Sequence, residues 1–164
     1  MRKLAAALAL VTLATQLEAQ TPARADSLLQ RLIGSWEMNG TVRGNPVTYR
    51  LEARRVLQNR FVELHMEDVS TPPGYEARVF IGADSTGRII AHWMDVFGAA
   101  FSIPPGYGAV RADTLEILFQ YADGPFRDRF VYDRRDGTWH FRLDSGDATG
   151  AWKLFAEYRV RRKP

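Results

Sequence analysis

The chain contains no cysteine. No disulfide braces the fold, so it must stand on packing alone, and no lipidated cysteine can follow a leader segment. Beyond the first residues, no stretch approaches the roughly 18 apolar residues that a membrane helix needs. Charge of one sign is also scarce: 22 basic and 19 acidic residues leave a formal net charge of +3. The two signs are interleaved, as in Arg127-Asp128-Arg129 and Arg134-Arg135-Asp136, and only residues 159–163 form a basic cluster. A nucleic-acid-binding face would need a coherent basic stripe, so no nucleic-acid partner is expected and the terminal run reads as a solvated chain end. Gly-x-Ser-x-Gly, a Gly-rich phosphate loop and His-Glu-x-x-His are all missing, which removes the common hydrolase, nucleotide-binding and zinc-protease signatures.

What is present begins with a leader-like segment. Arg2 and Lys3 precede an apolar run over residues 4–13, and Leu17-Glu18-Ala19 closes it with a small residue. This is the layout of a secretory signal peptide over residues 1–19. It implies an exported protein, periplasmic or extracellular, with no membrane span after cleavage; a retained N-terminal anchor is the alternative. Removing 19 of the 164 residues leaves 145. A chain of that size can bury roughly 68–70% of its unfolded surface in one domain. Residues 20–25 read as a linker and residues 26–164 as the folded domain.

The domain opens with a helical pattern over residues 26–33. Ser27 and Gln30 have capping-box spacing, and Leu28 with Leu32, and Leu29 with Ile33, share one face. From Ser35 the hydrophobic period becomes two, with turn signals every eight to twelve residues. Val62, Leu64 and Met66 alternate with Glu63, His65 and Glu67, and Trp139, Phe141 and Leu143 alternate with His140, Arg142 and Asp144. The last strand shows an apolar row of Trp152, Leu154, Ala156, Tyr158 and Val160. Ten such segments in a meander predict an all-β, antiparallel up-and-down β-barrel of about ten strands with a short N-terminal helix, because closure removes exposed edges. A two-sheet sandwich is the alternative.

A meander decides which loops share an end. With Trp36 at the bottom, the short polar turns also lie at the bottom, and the long loops 70–75 and 96–106 lie at the top. Both top loops carry Pro-Pro-Gly-Tyr, at residues 72–75 and 104–107. Long loops at one end of a rigid barrel are where binding usually sits.

Gly34-Ser35-Trp36, preceded by Leu32-Ile33, resembles the Gly-x-Trp opening of lipocalin-like (calycin) barrels. The chain is similar to the bacterial family of unknown function DUF1579. The matching pieces are Leu32 to Trp36, Arg55-Val56-Leu57 with Arg60-Phe61-Val62, Trp93-Met94-Asp95 with Gly98, Asp123-Gly124-Pro125, and Glu157-Tyr158-Arg159. The resemblance implies a closed barrel with an internal cavity and no assigned reaction. It also implies that Trp36 meets a late-strand arginine, Arg159 or Arg161, at the closed end. The Arg-x-Tyr that clamps carboxylates in fatty-acid-binding relatives is not matched on the apolar row of the last strand.

Among polar candidates, His65 and His140 alternate with charged residues and face water. His92 lies between two apolar rows, so its direction stays open. One inward histidine cannot build a zinc site, and no metal is expected. His92 could serve as a haem axial ligand, as in nitrobindin-like barrels with a similar start, but those carry their histidine late in the chain; no other cofactor is implied. Asp128 sits on an apolar row between Phe126 and Phe130, where an inward carboxylate is costly unless paired. Asp95 stands at a strand end near the top. The candidate ligand-binding set is Tyr75, His92, Trp93, Asp95, Phe97, Phe101, Tyr107 and Asp128, with no catalytic residue assigned. The resulting expectation is a binding protein for a small apolar or amphipathic molecule. An enzyme using the inward His and Asp groups, or an interaction module with a filled core, is the alternative. Nothing in the pattern bears on oligomeric state.

Overall fold

In the computed structural model, residues 22–163 are described, and the expected signal segment 1–19 lies outside them. One helix, α1 (Pro22–Leu32), leads into ten strands: β1 (Gly34–Val42), β2 (Asn45–Val56), β3 (Phe61–Asp68), β4 (Glu76–Ala83), β5 (Ile89–Asp95), β6 (Gly106–Arg111), β7 (Thr114–Tyr121), β8 (Gly124–Asp133), β9 (Thr138–Gly146) and β10 (Trp152–Arg162). All neighbours are antiparallel, and β1 pairs with β10, so the sheet closes into an up-and-down barrel. Closure excludes the two-sheet sandwich.

Period-two alternation sets the register, because a slip of one residue would turn each apolar row to water. Val62, Leu64 and Met66 of β3, Val79 and Ile81 of β4, and Leu115, Ile117 and Phe119 of β7 are all buried inward. The β1–β2 hairpin turns on two residues, Arg43 (φ 49°) and Gly44 (φ 80°). Positive φ at both matches the strand twist, and Gly44 takes that conformation without steric cost.

Helix α1 begins earlier than the capping-box reading places it. Pro22, Ala23, Arg24 and Ala25, read as linker, form its first turn, and proline at the first helical position forfeits no hydrogen bond. The burial of Ala25 explains the extension: Ala25, Leu28, Leu29 and Leu32 form one i, i+3, i+4, i+7 stripe, all 4% exposed or less. The stripe joins the core at the bottom of the barrel, where the helix packs against β4 and β6. Arg55 on β2 clamps it from outside through Asp26 at 2.6 Å, and the Trp36 indole donates to the Leu32 carbonyl at 2.7 Å.

The last strand departs from its simple alternation. The β9–β10 register shifts between Leu154 and Ala156, a bulge at Phe155. Below it Ala156, Tyr158 and Val160 point inward as expected; above it Trp152 and Leu154 lie exposed on the outer wall. Trp152 there packs under the Arg127 guanidinium, 4.3 Å from the ring centroid.

The arginine over Trp36 is Arg162, not Arg159 or Arg161. Arg162 pairs with Trp36 across β1 and β10, and its guanidinium carbon lies 4.4 Å from the ring centroid. It continues the inward row of Ala156, Tyr158 and Val160, so at the strand's end it lies across the bottom of the barrel. Arg159 sits on the outer row and pairs with Asp136 at 2.6 Å; Arg161 is exposed. A surface cleft of about 420 Å³ opens beside this corner, lined by Arg31, Trp36, Tyr132, Arg161 and Arg162 among others.

Candidate functional site

The barrel interior has two unlike halves. The lower half is apolar and filled by side chains such as Trp36, Leu64, Ile81, Leu115, Phe130 and Trp139, each 1% exposed or less. The upper half carries tyrosines and acids. Val47 and Tyr49 stand on the inward row of β2, Trp93 and Asp95 on that of β5, Phe126 and Asp128 on that of β8, and Tyr158 on that of β10. Tyr75 reaches inward from the end of the loop before β4.

These rings make a continuous path from the upper rim into the barrel. Phe101 lies 6.4 Å from Phe97, Phe97 6.1 Å from Tyr75, Tyr75 5.5 Å from Tyr49, and Tyr49 5.7 Å from Tyr158. Exposure falls along the path, from 66% at Phe97 to 6% at Tyr49 and 7% at Tyr158. Tilted and edge-to-face contacts of this length are the favoured geometry of aromatic pairs. Phe101 belongs to a single 3-10 turn, Ala99–Phe101, in the long upper loop. That loop and the one before β4 share a cis bond ahead of their first proline, at Thr71-Pro72 and Ile103-Pro104.

Asp95 organises the rim end of the path. Its Oδ1 accepts the Phe97 backbone N–H at 3.0 Å, and its Oδ2 accepts the Tyr75 hydroxyl at 3.3 Å. The Trp93 indole N–H lies beside the same Tyr75 hydroxyl and favours its charged form. Burial first, and the Asp95 charge second, hold the Tyr75 hydroxyl far above the ordinary phenol range. Deeper in, Tyr49 and Tyr158 interact through their rings and hydroxyls, and burial raises both.

Asp128 ends the path differently. It is 1% exposed, and its Oδ1 has no hydrogen-bond partner. Its cross-strand neighbours are Ile117 and Leu143, which offer nothing to donate. Burial, and then the Asp144 charge on the outer face of β9, push its carboxyl up to about 8. Tyr121, on β7, is pushed up to about 12 by burial and by Asp128, and the Asp128 charge contributes to raising Tyr158 as well. Among the described residues the buried charged groups are Glu63, Asp128 and Asp144, all acidic. No buried cation answers Asp128.

The other two acids are answered from outside. Glu63 accepts from Arg54 and Arg78 at 2.7 Å each, and Asp144 accepts from Arg127 and Arg142 at 3.1 and 3.0 Å. Burial opposes the charged form at both, and the paired guanidiniums outweigh it, holding each carboxyl below its usual range. These are ion-paired struts of the outer wall.

Of the residues singled out from the sequence, the structure brings together Tyr75, Trp93, Asp95 and Phe97, with Phe101 at the rim and Asp128 below them. It separates two. His92 faces outward and is exposed, because Ile89, Ala91 and Trp93 take the inward row of β5. Tyr107 also faces outward, its ring 5.1 Å from the Arg88 guanidinium, because Gly106 and Val110 hold the inward row of β6. All three histidines lie on the outer wall, so His92 cannot act as an interior haem ligand. His65 there joins Glu67 and Glu76, with ligand-type atoms within 4.8 Å of one another, but Glu76 already carries His65 at 2.8 Å and Arg78 at 3.7 Å. Tyr49, Tyr121 and Tyr158 were missing from the candidate set. Their signal was present, since each stands on an apolar row.

No protein-family model matches this chain, and no curated protein matches it. Solved structures do. The chain is similar in fold to Rv2717c from M. tuberculosis. That likeness has a TM-score of 0.59 at 12% identity and covers 85% of this chain and 98% of that one. A redesigned β-barrel aligns over 86% of this chain and 96% of its own at 16% identity, with a TM-score of 0.35. At such identity the first likeness speaks to the barrel alone. Among the described residues no helix is long and apolar enough to cross a membrane.

Proposed function

We propose that this chain is an exported binding protein of the DUF1579 type, which takes up a small apolar or amphipathic molecule through the upper mouth of its barrel. One observation carries the reading: the run of rings from exposed Phe101 and Phe97 down to buried Tyr75, Tyr49 and Tyr158. An exposed aromatic pair on a long loop costs solvation unless something covers it. Tyrosines give a ligand apolar area together with hydroxyl handles. The filled lower half and the helical plug close the lower end, which supports entry of a ligand from the upper one. Chemistry at a catalytic centre finds less support, because the outward histidines leave the two carboxyls, Asp95 and Asp128, without a basic partner.

Two measurements test the proposal. Intact-mass analysis of the protein from its own host's exported fraction should give a chain beginning after Ala19. Native mass spectrometry should then show a co-purifying small molecule, or titration should show saturable binding of the neutral dye Nile red. An Ala77→Phe variant, which fills the upper interior from the inward row of β4, should lose the dye while keeping its fold. A wild-type protein that binds no dye and carries no added mass would overturn the binding reading.

A further inference from the structure

The upper interior holds an unpartnered carboxyl, and that mismatch bears on the ligand's chemistry. Asp128 points into the barrel from the inward row of β8, is 1% exposed, and leaves Oδ1 without a donor. A buried carboxyl is ordinarily satisfied by hydrogen bonds or a cation; Glu63 and Asp144 in this same molecule each have two arginines. No basic side chain is buried among the described residues, so nothing inside this part of the chain is placed to answer Asp128. Its surroundings suit a cation. Tyr121 and Tyr158 both feel its charge, and tyrosine ring faces attract ammonium groups. The inward position Ala156, which pairs with Leu143 as Asp128 does from the other side, is small. Asp95, the other interior acid, is already committed to Tyr75 and to the Phe97 backbone. An anionic head group would meet two acids and no cation.

Building on the binding proposal above, we infer that the ligand is an amphipathic amine: its protonated nitrogen pairs with the Asp128 carboxylate, and its apolar tail runs upward past Tyr158, Tyr49 and Tyr75 to the rim. The charged groups facing this seat are Asp95 from β5 and, through the wall, Asp144 of β9; the phenols are Tyr121 of β7, Tyr158 of β10 and Tyr49 of β2. All are acidic or neutral, so none competes with the amine. The proton balance is defined. In the empty barrel Asp128 holds its proton near neutral pH, and the arriving ammonium displaces it, so one proton passes from Asp128 to solvent for each amine bound.

Calorimetry with decylamine, 1-decanol and decanoate as probes separates this inference from the binding reading beneath it. The wild-type protein should bind decylamine at least about tenfold more tightly than decanol, as a charge-assisted contact implies, with decanoate weakest. In two buffers of different ionisation enthalpy, decylamine binding should release about one proton at neutral pH. Asp128→Asn should cost decylamine about tenfold or more, leave decanol unchanged and abolish the proton release; Asp128→Leu should behave alike if the Asn variant does not fold. Equal affinity for decylamine and decanol in the wild type, or full retention of decylamine binding by a folded variant, overturns the amine while the barrel remains a binding protein. Failure of all three probes together with Nile red overturns both.

Discussion

The Arg162 guanidinium lies over the Trp36 indole at 4.4 Å while its Nη2 donates to the Ile33 carbonyl at 3.1 Å, so one side chain ties the last strand to the junction of helix and first strand. Arg162→Ala should lower stability by about 1 kcal/mol, the scale of an exposed cation–π contact. Arg161→Ala should fall within about 0.5 kcal/mol, as for an ordinary surface site. Gly34→Ala should cost more than either, because Gly34 sits at φ 131° and a Cβ there would strike Arg162. Urea midpoints of the three variants check the order, and equal loss in the two arginine variants would contradict it.

The helical plug can be weighed in the same way. Leu32 is fully buried and Leu28 is 4% exposed. Leu32→Ala should cost about 2–5 kcal/mol, with the wild-type slope of free energy against urea. A Leu28→Ala, Leu32→Ala double variant that unfolds at the wild-type midpoint would show that the helix does not close the barrel.

Asp128 should make the fold lose stability as pH rises. Its carboxyl titrates at about 8 in the folded chain against an ordinary value of 3.8. Between those values the folded chain holds a proton that the unfolded chain has released, so the favourable contribution is full below about pH 4 and is lost as pH rises through 8. Glu63 and Asp144 are held below the ordinary range, so their contribution is present above it and fails only on acidification. Urea midpoints should therefore fall between pH 5 and pH 9 in the wild type and stay nearly level in Asp128→Asn. Parallel slopes in the two proteins would contradict a buried, unpaired Asp128.

The outer-wall acids give a contrasting expectation. Asp144 is 1% exposed between Arg127 and Arg142. Asp144→Asn should destabilise by about 1–3 kcal/mol at neutral pH, since two guanidiniums lose a charged partner, whereas Asp128→Asn removes a buried carboxyl that folding obliges to take up a proton. Chemical denaturation at pH 7 should thus move Asp144→Asn and Asp128→Asn in opposite directions.

Much of this architecture is legible in the sequence. Period-two rows in β3, β7 and β9 announced a closed antiparallel barrel, because each buried face needs its own apolar set. Asp128 was conspicuous for breaking such a row. Four features escaped for physical reasons. The bulge at Phe155 conserves apolar alternation on paper while turning Trp152 and Leu154 outward. Arg162 reads as a polar chain end, although it continues the inward row of Val160. His92 had apolar neighbours on both sides, and only the sheet's register decides which of them faces the core. Glu63 and Asp144 look like solvated residues in the sequence; their burial comes from arginines on adjacent strands, a cross-strand relation that linear spacing does not display.

The proposed seat of the ligand is the upper interior. Two-dimensional NMR of the isotopically labelled protein, titrated with Nile red, tests it directly. Saturable shifts should gather at Tyr49, Tyr75, Trp93, Phe97, Asp128 and Tyr158 and spare Trp36 and Trp139 at the closed end. Shifts confined to the outer wall around His92 and Tyr107, or to the cleft beside Arg161 and Arg162, would contradict it.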